Sequence, residues 1–278
     1  MHWGLSGWEL EQYRRDGYLV RTSVLDRAEL VELRRAAERS VGRAAAACAS
    51  GRTYLLDGKR FVDLEFDVCG DAGAGRATVQ FEHVPDSETI RVIEPVHPFD
   101  RCWDRLIDDP RLTEPMRALV GCEHLSLWTD KLNLKRPREG SGFGWHQDSP
   151  YWIHDCAHVD QLPNVYVALD DAGEANGCLR VIPGSHRGGC LPGTADGTQL
   201  GGFYTSPDAF DAAGQVALQV PAGSLVFFSP HIVHGSLPNA SDLPRRAVVL
   251  TYQPGGQPML KNGRVREVRI AASPAGDR

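Results

Sequence analysis

A histidine and an aspartate two residues apart form the first motif in this chain that could bind a metal ion. His146 and Asp148 lie within residues 141–152, SGFGWHQDSPYW. We expect the pair to lie on one β-strand, where side chains two residues apart point to the same side. The pair would then offer an imidazole nitrogen and a carboxylate oxygen. These are two of the three ligands in a 2-His-1-carboxylate site, which holds Fe(II) and leaves coordination positions open.

A second histidine has to supply the third ligand. His231 and His234 both lie in SPHIVHGSLPN, at the end of an apolar run. Three residues apart on an extended strand, they would point to opposite sides, so at most one should face the metal. Another His-x-Asp pair, His158 and Asp160, lies in the polar run CAHVDQLPN. The aromatic and glycine-rich surroundings of the first pair favour it over this one.

An arginine is well placed to bind an anion beside such a metal. Arg245 follows His234 by 11 residues and directly precedes another apolar run, RAVVLTYQP at 246–254. A guanidinium can hold a carboxylate through two parallel hydrogen bonds, which an ammonium group cannot do as well. The spacing therefore suggests a dicarboxylate bound near the metal.

Composition limits the classes of protein that remain. The chain has 278 residues, 42% of them hydrophobic and 24% charged, which is ordinary for a soluble globular protein. A formal net charge of −6 argues against nucleic-acid binding. We find no leader-like or membrane-spanning run and expect a cytoplasmic protein. Seven cysteines without a CxxC pair indicate reduced thiols, with neither a disulfide framework nor a structural zinc site.

The hydrophobic pattern divides the chain near Gly121. Before it we predict helices over 8–18, over 26–47 with Asp26 as the cap, and around 103–107 and 112–120, with a strand at 18–25 and unplaced strands and loops over 51–85. After it come short β-branched or aromatic runs separated by turn residues, at 124–137, 164–172, 177–185, 223–236 and 246–254. This order predicts a mainly β protein with flanking helices, whose sheet closes or doubles as in jelly rolls and cupins.

Several motifs together resemble the phytanoyl-CoA dioxygenase family of Fe(II)- and 2-oxoglutarate-dependent oxygenases. They are HQD, HGS 88 residues later and the arginine that follows, with NGCLRVIPGSH at 176–186 and EQYRRDGYLV at 11–20. The resemblance implies a double-stranded β-helix, a jelly-roll or cupin-like fold, with N-terminal helices. It also implies iron on His146, Asp148 and His234, with the distal carboxylate of 2-oxoglutarate on Arg245 and Ser236.

The resemblance also suggests a wider set of contacts. Arg91, Lys131 and Tyr166 are candidates for binding the co-substrate. Substrate contacts are expected from an aromatic wall and one basic residue: Phe143, Trp145, Tyr151, Trp152, Phe203 and Arg180. The alternative for each is ordinary packing or a solvated charge. The glycine-rich loop 188–214 is predicted to act as a lid.

The implied function is oxidation of a small organic substrate by O₂, coupled to conversion of 2-oxoglutarate into succinate and CO₂. Relatives that halogenate have a small residue in place of Asp148, so its presence favours hydroxylation, or another oxidation such as desaturation. Tailoring of a natural product is one such role. Two alternatives stay open: a cupin-type metal-dependent isomerase or hydrolase, and a non-catalytic ligand-binding barrel.

We expect one oxygenase domain over 1–278. Its helical and mixed part (1–120) would pack on a metal-binding β core (121–254), followed by a C-terminal strand and mobile tail (255–278). The expected partners are a small-molecule substrate, no nucleic acid and no membrane, in a monomer or homodimer.

Overall fold

Antiparallel strands make up most of the regular structure. The computed structural model describes residues 3–67, 74–84, 86–195, 197–198 and 203–269. The helices are α1 Gly7–Asp16, α2 Arg27–Cys48, α3 Cys102–Ile107, α4 Pro110–Val120 and α5 Ser149–Trp152. The strands are β1 Tyr18–Arg21, β2 Arg52–Leu56, β3 Lys59–Asp67, β4 Ala74–Phe81, β5 Ile90–Glu94, β6 Leu125–Lys135, β7 Phe143–His146, β8 Asn164–Ala168, β9 Arg180–Val181, β10 Val216–Ala217, β11 Leu225–Phe228, β12 His234–Ser236 and β13 Arg245–Pro254.

Helix α2 shows why the N-terminal helices could be predicted. The Asp26 side chain accepts hydrogen bonds from the backbone amides of Ala28 and Glu29, satisfying donors that the first helical turn leaves free. Its buried face, with Leu30 and Leu33, packs against α3, β3 and β5. The predicted and observed bounds of this helix differ by one residue at each end.

Two antiparallel sheets carry the fold. The larger has nine strands in the order β1-β11-β8-β13-β6-β5-β4-β3-β2, and the smaller has four in the order β10-β9-β12-β7. Side chains alternate along a strand, so the two faces of β8 pack into different hydrophobic cores. Val165 and Val167 pack into the core that contains residues of α2. Tyr166 and Ala168 pack into a second core with Val181 of the small sheet. The large sheet therefore lies between the helices and the small sheet.

Strands β2 to β5 extend the large sheet beyond β6, in a region where the sequence pattern did not place strands. Charged residues interrupt the runs, as in KRFVDLEFD of β3, so the alternation of apolar residues is weak there. These strands form one wall beside the predicted metal ligands described below.

The end of the chain shows less regular structure than expected. In place of the predicted C-terminal strand, the described part of 255–278 forms one isolated β-bridge, from Glu267 to Ser126. The tail predicted from Ala271 onward lies outside the described residues. No helix in the described part of the chain is long and apolar enough to cross a membrane.

Candidate metal centre and its cavity

Strand pairing in the small sheet brings the three predicted ligands together. Strands β7 and β12 are antiparallel, with His234 directly opposite His146. The ring centroids of the two histidines are 4.1 Å apart, and His234 Nε2 lies 3.9 Å from Asp148 Oδ2. One ligand atom from each of the three residues falls within 4.8 Å of the others. This spacing suits three ligands around one cation.

The aspartate reaches this point by a turn and not by strand alternation. Strand β7 ends at His146, so the prediction that His146 and Asp148 share one strand was wrong. Asp148 has helical backbone angles, φ −78° and ψ −32°, and precedes α5. The backbone amides of Asp148 and Ser149 each donate a 3.0 Å hydrogen bond to the Pro230 carbonyl. These bonds tie the turn to the segment that leads into β12.

Both histidines are held in one tautomer. His146 Nδ1 lies 2.8 Å from the Gly144 carbonyl, and His234 Nδ1 lies 3.0 Å from the Ile232 carbonyl. Because a carbonyl only accepts, each Nδ1 carries the hydrogen and each Nε2 keeps its lone pair for a metal. Burial, with a smaller contribution from His234, lowers the pKa of His146 to about 3. The ring is therefore neutral, the form that binds metals.

The carboxylate has its own supports. Asn164 Nδ2 donates a 2.9 Å hydrogen bond to Asp148 Oδ2, and Thr251 Oγ1 donates a 2.6 Å bond to Asn164 Oδ1. Lys131 Nζ lies 3.8 Å from Asp148 Oδ1. Burial raises the pKa of Asp148, but Lys131, the two histidines and Asn164 more than offset it and the net pKa is lowered. Asp148 is therefore a charged ligand.

The competing histidines are engaged elsewhere. His231 Nε2 lies 2.7 Å from Asp160 Oδ1, and His158 Nε2 lies 3.0 Å from Gln253 Oε1. Of the His231 and His234 pair, only His234 joins the cluster. The predicted reason does not hold, because His231 lies in a turn before β12 and the two residues do not share a strand.

A cavity of about 540 Å³ opens beside the cluster. Most of the other predicted site residues line it: Arg91, Lys131, Phe143, Tyr151, Trp152, Tyr166, Phe203, Ser236 and Arg245. Trp145 and Arg180 do not. Trp145 packs edge-on against Phe210, with ring centroids 5.8 Å apart, and Arg180 donates hydrogen bonds to Glu174 and Gln215. The predicted substrate contacts of Trp145 and Arg180 are therefore not supported by the structure.

Arg245 brings a buried positive charge to this cavity. Arg245 is the first residue of β13 and is only 3% exposed. Nη1 makes a long 3.4 Å hydrogen bond to the Tyr166 hydroxyl, and Nε has no partner. No carboxylate among the described residues forms an ion pair with it. A buried guanidinium without a carboxylate partner favours binding of an anionic ligand, because a buried charge without a counter-charge costs free energy.

Sequence reasoning missed several residues around the site. Asn164 opens the apolar strand β8, and its position there gave no sign of a bond to Asp148. Lys135 is almost fully buried and donates to the Leu237 carbonyl. Burial, then the charges of Arg245 and Arg91, lower the pKa of Lys135 to about 6. Lys59, His83 and Tyr204 also line the cavity. Lys59 and His83 come from the segment 51–85, where strands were not placed, and Tyr204 comes from the loop predicted as a lid.

Residues 13–247 match the phytanoyl-CoA dioxygenase family. The chain belongs to the phytanoyl-CoA dioxygenase family. The family, predicted from the motifs, is thus confirmed over most of the chain.

Two curated relatives of this chain are named as a hydroxylase and a dioxygenase. L-proline trans-4-hydroxylase of Streptomyces griseoviridis is 32% identical over 185 residues, covering 60% of this chain and 68% of the relative. Ectoine dioxygenase of Bordetella parapertussis is 33% identical over 181 residues, covering 60% of this chain but only 58% of that protein. Dependence on Fe(II) and 2-oxoglutarate and the dioxygenase class, both predicted, are confirmed at the level of the family.

Solved structures confirm the predicted jelly-roll fold. EctD from Sphingopyxis alaskensis with 2-oxoglutarate and 5-hydroxyectoine superposes with a TM-score of 0.68 at 24% identity, covering 97% of this chain and 81% of that one. The epimerase SnoN in complex with Fe3+, alpha ketoglutarate and nogalamycin RO gives a TM-score of 0.61 at 21% identity, covering 89% and 83%. At these identities the likeness extends to the fold alone.

Proposed function

We propose that this phytanoyl-CoA dioxygenase family member is an Fe(II)- and 2-oxoglutarate-dependent hydroxylase of a small organic molecule. His146, Asp148 and His234 would hold the iron, and Arg245 would hold the distal carboxylate of 2-oxoglutarate. One observation carries the proposal: a cluster of two imidazoles and a carboxylate opens on the same cavity as a buried arginine that no carboxylate of the described residues pairs with.

The residues around the cluster fit a divalent cation. When bound, iron with 2-oxoglutarate and O₂ would supply the oxidising chemistry, with succinate and CO₂ as co-products. The chain's own contribution is orientation. The Nδ1 bonds of the two histidines keep both Nε2 lone pairs facing one point, and Asn164 fixes the plane of the Asp148 carboxylate.

Three further residues would help to hold the co-substrate. Ser236 and Tyr166 line the cavity with Arg245, and their hydroxyls complement a carboxylate held by the guanidinium. Lys131 lines the cavity too, between Glu94 at 3.9 Å and Asp148 at 3.8 Å. Its ammonium group would stabilise the charged ligand as well as any anion bound beside it.

The aromatic wall would exclude water and position the substrate. Tyr151 and Phe203 stack face to face with centroids 4.4 Å apart, and Trp152 is buried behind Lys131, whose Nζ lies 5.3 Å from the Trp152 ring centroid. Retention of the carboxylate at Asp148 favours hydroxylation over halogenation. Tailoring of a natural product is consistent with such a pocket.

The whole chain would act as one domain. Strands β5 and β6 pair directly, so the N-terminal part and the metal-binding core share one sheet. The cytoplasmic location and the monomeric or dimeric state stay predictions from the sequence.

An anaerobic titration tests the proposal. Adding Fe(II) and then 2-oxoglutarate should produce a weak visible charge-transfer band, which His146→Ala should abolish. Admission of O₂ should then yield succinate. A wild-type protein that gives no band at saturating metal and co-substrate contradicts the proposal, and turnover without O₂ consumption would favour the isomerase or hydrolase alternative.

A further inference from the structure

A second set of polar and positively charged side chains lines the cavity, on the wall built from the hairpins of the large sheet. Lys59 begins β3, His83 follows β4, Arg91 lies in β5, and Tyr204 comes from the loop opposite. We call these four residues the basic wall. None of them belongs to the metal cluster.

Arg91 is the buried centre of the basic wall. The residue is 2% exposed, its Nη2 donates a 2.7 Å hydrogen bond to the Gly142 carbonyl, and its guanidinium lies 3.8 Å from the Phe143 ring centroid. Nη1 lies 2.8 and 2.9 Å from the two ring nitrogens of His83. Nε has no partner, and the described chain offers no carboxylate in ion-pair contact with Arg91. Burial lowers the pKa of Arg91 to about 10, so the group stays charged at neutral pH.

Lys59 adds a second cation beside it. Its Nζ lies 3.4 Å from the Tyr204 hydroxyl and 5.5 Å from the ring centroid of that tyrosine. Within the described ranges it too forms no ion pair with a carboxylate. Burial, then the charges of Arg91 and Lys59, lower the pKa of His83 to about 3. His83 is therefore neutral and both cations act on the same small region.

The charges do not balance locally. Glu82 is the carboxylate whose field raises the pKa of Arg91, but it does not pair with that arginine; its Oε2 accepts from the Ser141 amide and its Oε1 has no partner. The positive charges of Arg91 and Lys59 exceed the negative charge of Glu82 by one, although the chain as a whole has a net charge of −6. A monoanion would compensate it, and a planar carboxylate matches the two-donor edge of a guanidinium.

This wall is separate from the arginine assigned to the co-substrate. Strand β6 lies between β5 and β13, with Asn133 opposite Val92 and Lys135 opposite Arg245. Neighbouring strands are about 4.8 Å apart, so the backbones that carry Arg91 and Arg245 are roughly 10 Å apart. The two guanidinium groups are therefore carried by different strands, although the charge of Arg245 still helps to lower the pKa of Arg91.

We propose that the basic wall binds a carboxylate group of the prime substrate, so that this cavity takes a carboxylic acid together with 2-oxoglutarate. The inference rests on the proposed function, which already assigns Arg245 to the co-substrate. It reassigns Arg91 from the co-substrate, where the family resemblance suggested it, to the substrate.

Calorimetry on the full-length protein tests this without turnover. The anaerobic protein is saturated with Fe(II) and 2-oxoglutarate and titrated with paired probes: L-proline and L-prolinamide, benzoate and benzamide, and further carboxylic acids with their primary amides. At least one acid should bind about tenfold more tightly than its amide, the effect of one charged hydrogen-bond pair. Arg91→Gln should remove that preference, and Lys59→Gln should reduce it about threefold, while the affinity for 2-oxoglutarate stays within about threefold.

Arg76→Gln is the matched control. Arg76 lies on β4 of the same sheet, but its side chain is 64% exposed and pairs with Glu65 on the surface. The variant removes the same charge and should leave the preference for acids intact. If Arg91→Gln does not fold, the partly exposed Lys59→Gln decides the question.

Three results would overturn parts of the proposal separately. A wild type that binds 2-oxoglutarate but prefers no acid over its amide overturns this inference alone. If Arg91→Gln weakens the binding of 2-oxoglutarate as much as the binding of the acids, Arg91 contacts the co-substrate. That result also overturns this inference. A wild type that binds no 2-oxoglutarate overturns the proposed function itself.

Discussion

The two ends of the cavity are built differently. At the metal end, His146 and His234 each have one ring nitrogen bonded to a nearby carbonyl, and Asp148 is held by Asn164. At the basic wall, Arg91 has an unpartnered nitrogen, and no carboxylate of the described residues neutralises it. The metal end is therefore oriented before any ligand arrives, whereas the basic wall is left for a ligand to complete. Variants at the two ends should separate these properties.

Removing a metal ligand should have the largest effect. His234→Ala takes away the Nε2 that faces Asp148, and the remaining two ligands should bind Fe(II) at least ~100-fold more weakly, beyond the usual cost of a lost supporting hydrogen bond. Metal titration by calorimetry and succinate formation measure it. His231→Ala is the matched control, since His231 bonds to Asp160 instead. Equal losses in both variants would contradict the assignment of His234.

Replacing Arg245 should act on the co-substrate and spare the metal. Arg245→Gln removes a buried charge that would otherwise pair with a carboxylate, so the Kd for 2-oxoglutarate should rise roughly 100-fold. Affinity for Fe(II) alone should change little. Arg246→Gln serves as the control, because the next residue along β13 pairs with Asp170 and Glu38 away from the cavity. A similar rise in both variants would show a general charge effect.

The grouping of His146, Asp148 and His234 could be predicted from sequence because two short motifs carry it, HQD and the HGS that follows 88 residues later. His-x-Asp alone would not have sufficed, since His158 and Asp160 repeat it away from the cluster. The reason given for Asp148 was nevertheless wrong. Pro150 lies in the first turn of α5, and a proline that begins a helix should have indicated that the strand had already ended.

The rest of the site depends on which strands become neighbours, and one sequence does not specify that. Lys59 and His83 reach the cavity only because β3, β4 and β5 extend the sheet beyond β6. The misplaced Trp145 is a different case. It directly precedes His146 in β7, so the alternation that places one side chain toward the metal places the other away from it.

Weakening the support of Asp148 should have an intermediate effect. Asn164→Ala leaves the carboxylate without its amide donor, and losses of about 10- to 100-fold in metal affinity are typical for such changes. Thr251→Val, which acts only by freeing Asn164 Oδ1, should cost less than Asn164→Ala in the same titration. A larger loss from the valine would mean that Thr251 supports the site by another route.

The smallest effect on the site is expected from the helix that packs behind the large sheet. Asp26→Ala removes the side chain that accepts from two amides at the start of α2, which should lower the free energy of unfolding by about 1 kcal/mol. Chemical denaturation measures it. Glu32→Ala in the same helix breaks only an exposed ion pair with Arg105 and should cost less than ~0.5 kcal/mol. Because neither residue contacts the triad, both variants should bind Fe(II) as the wild type does; a metal affinity that fell with stability would show that the metal end depends on the helical layer for its orientation.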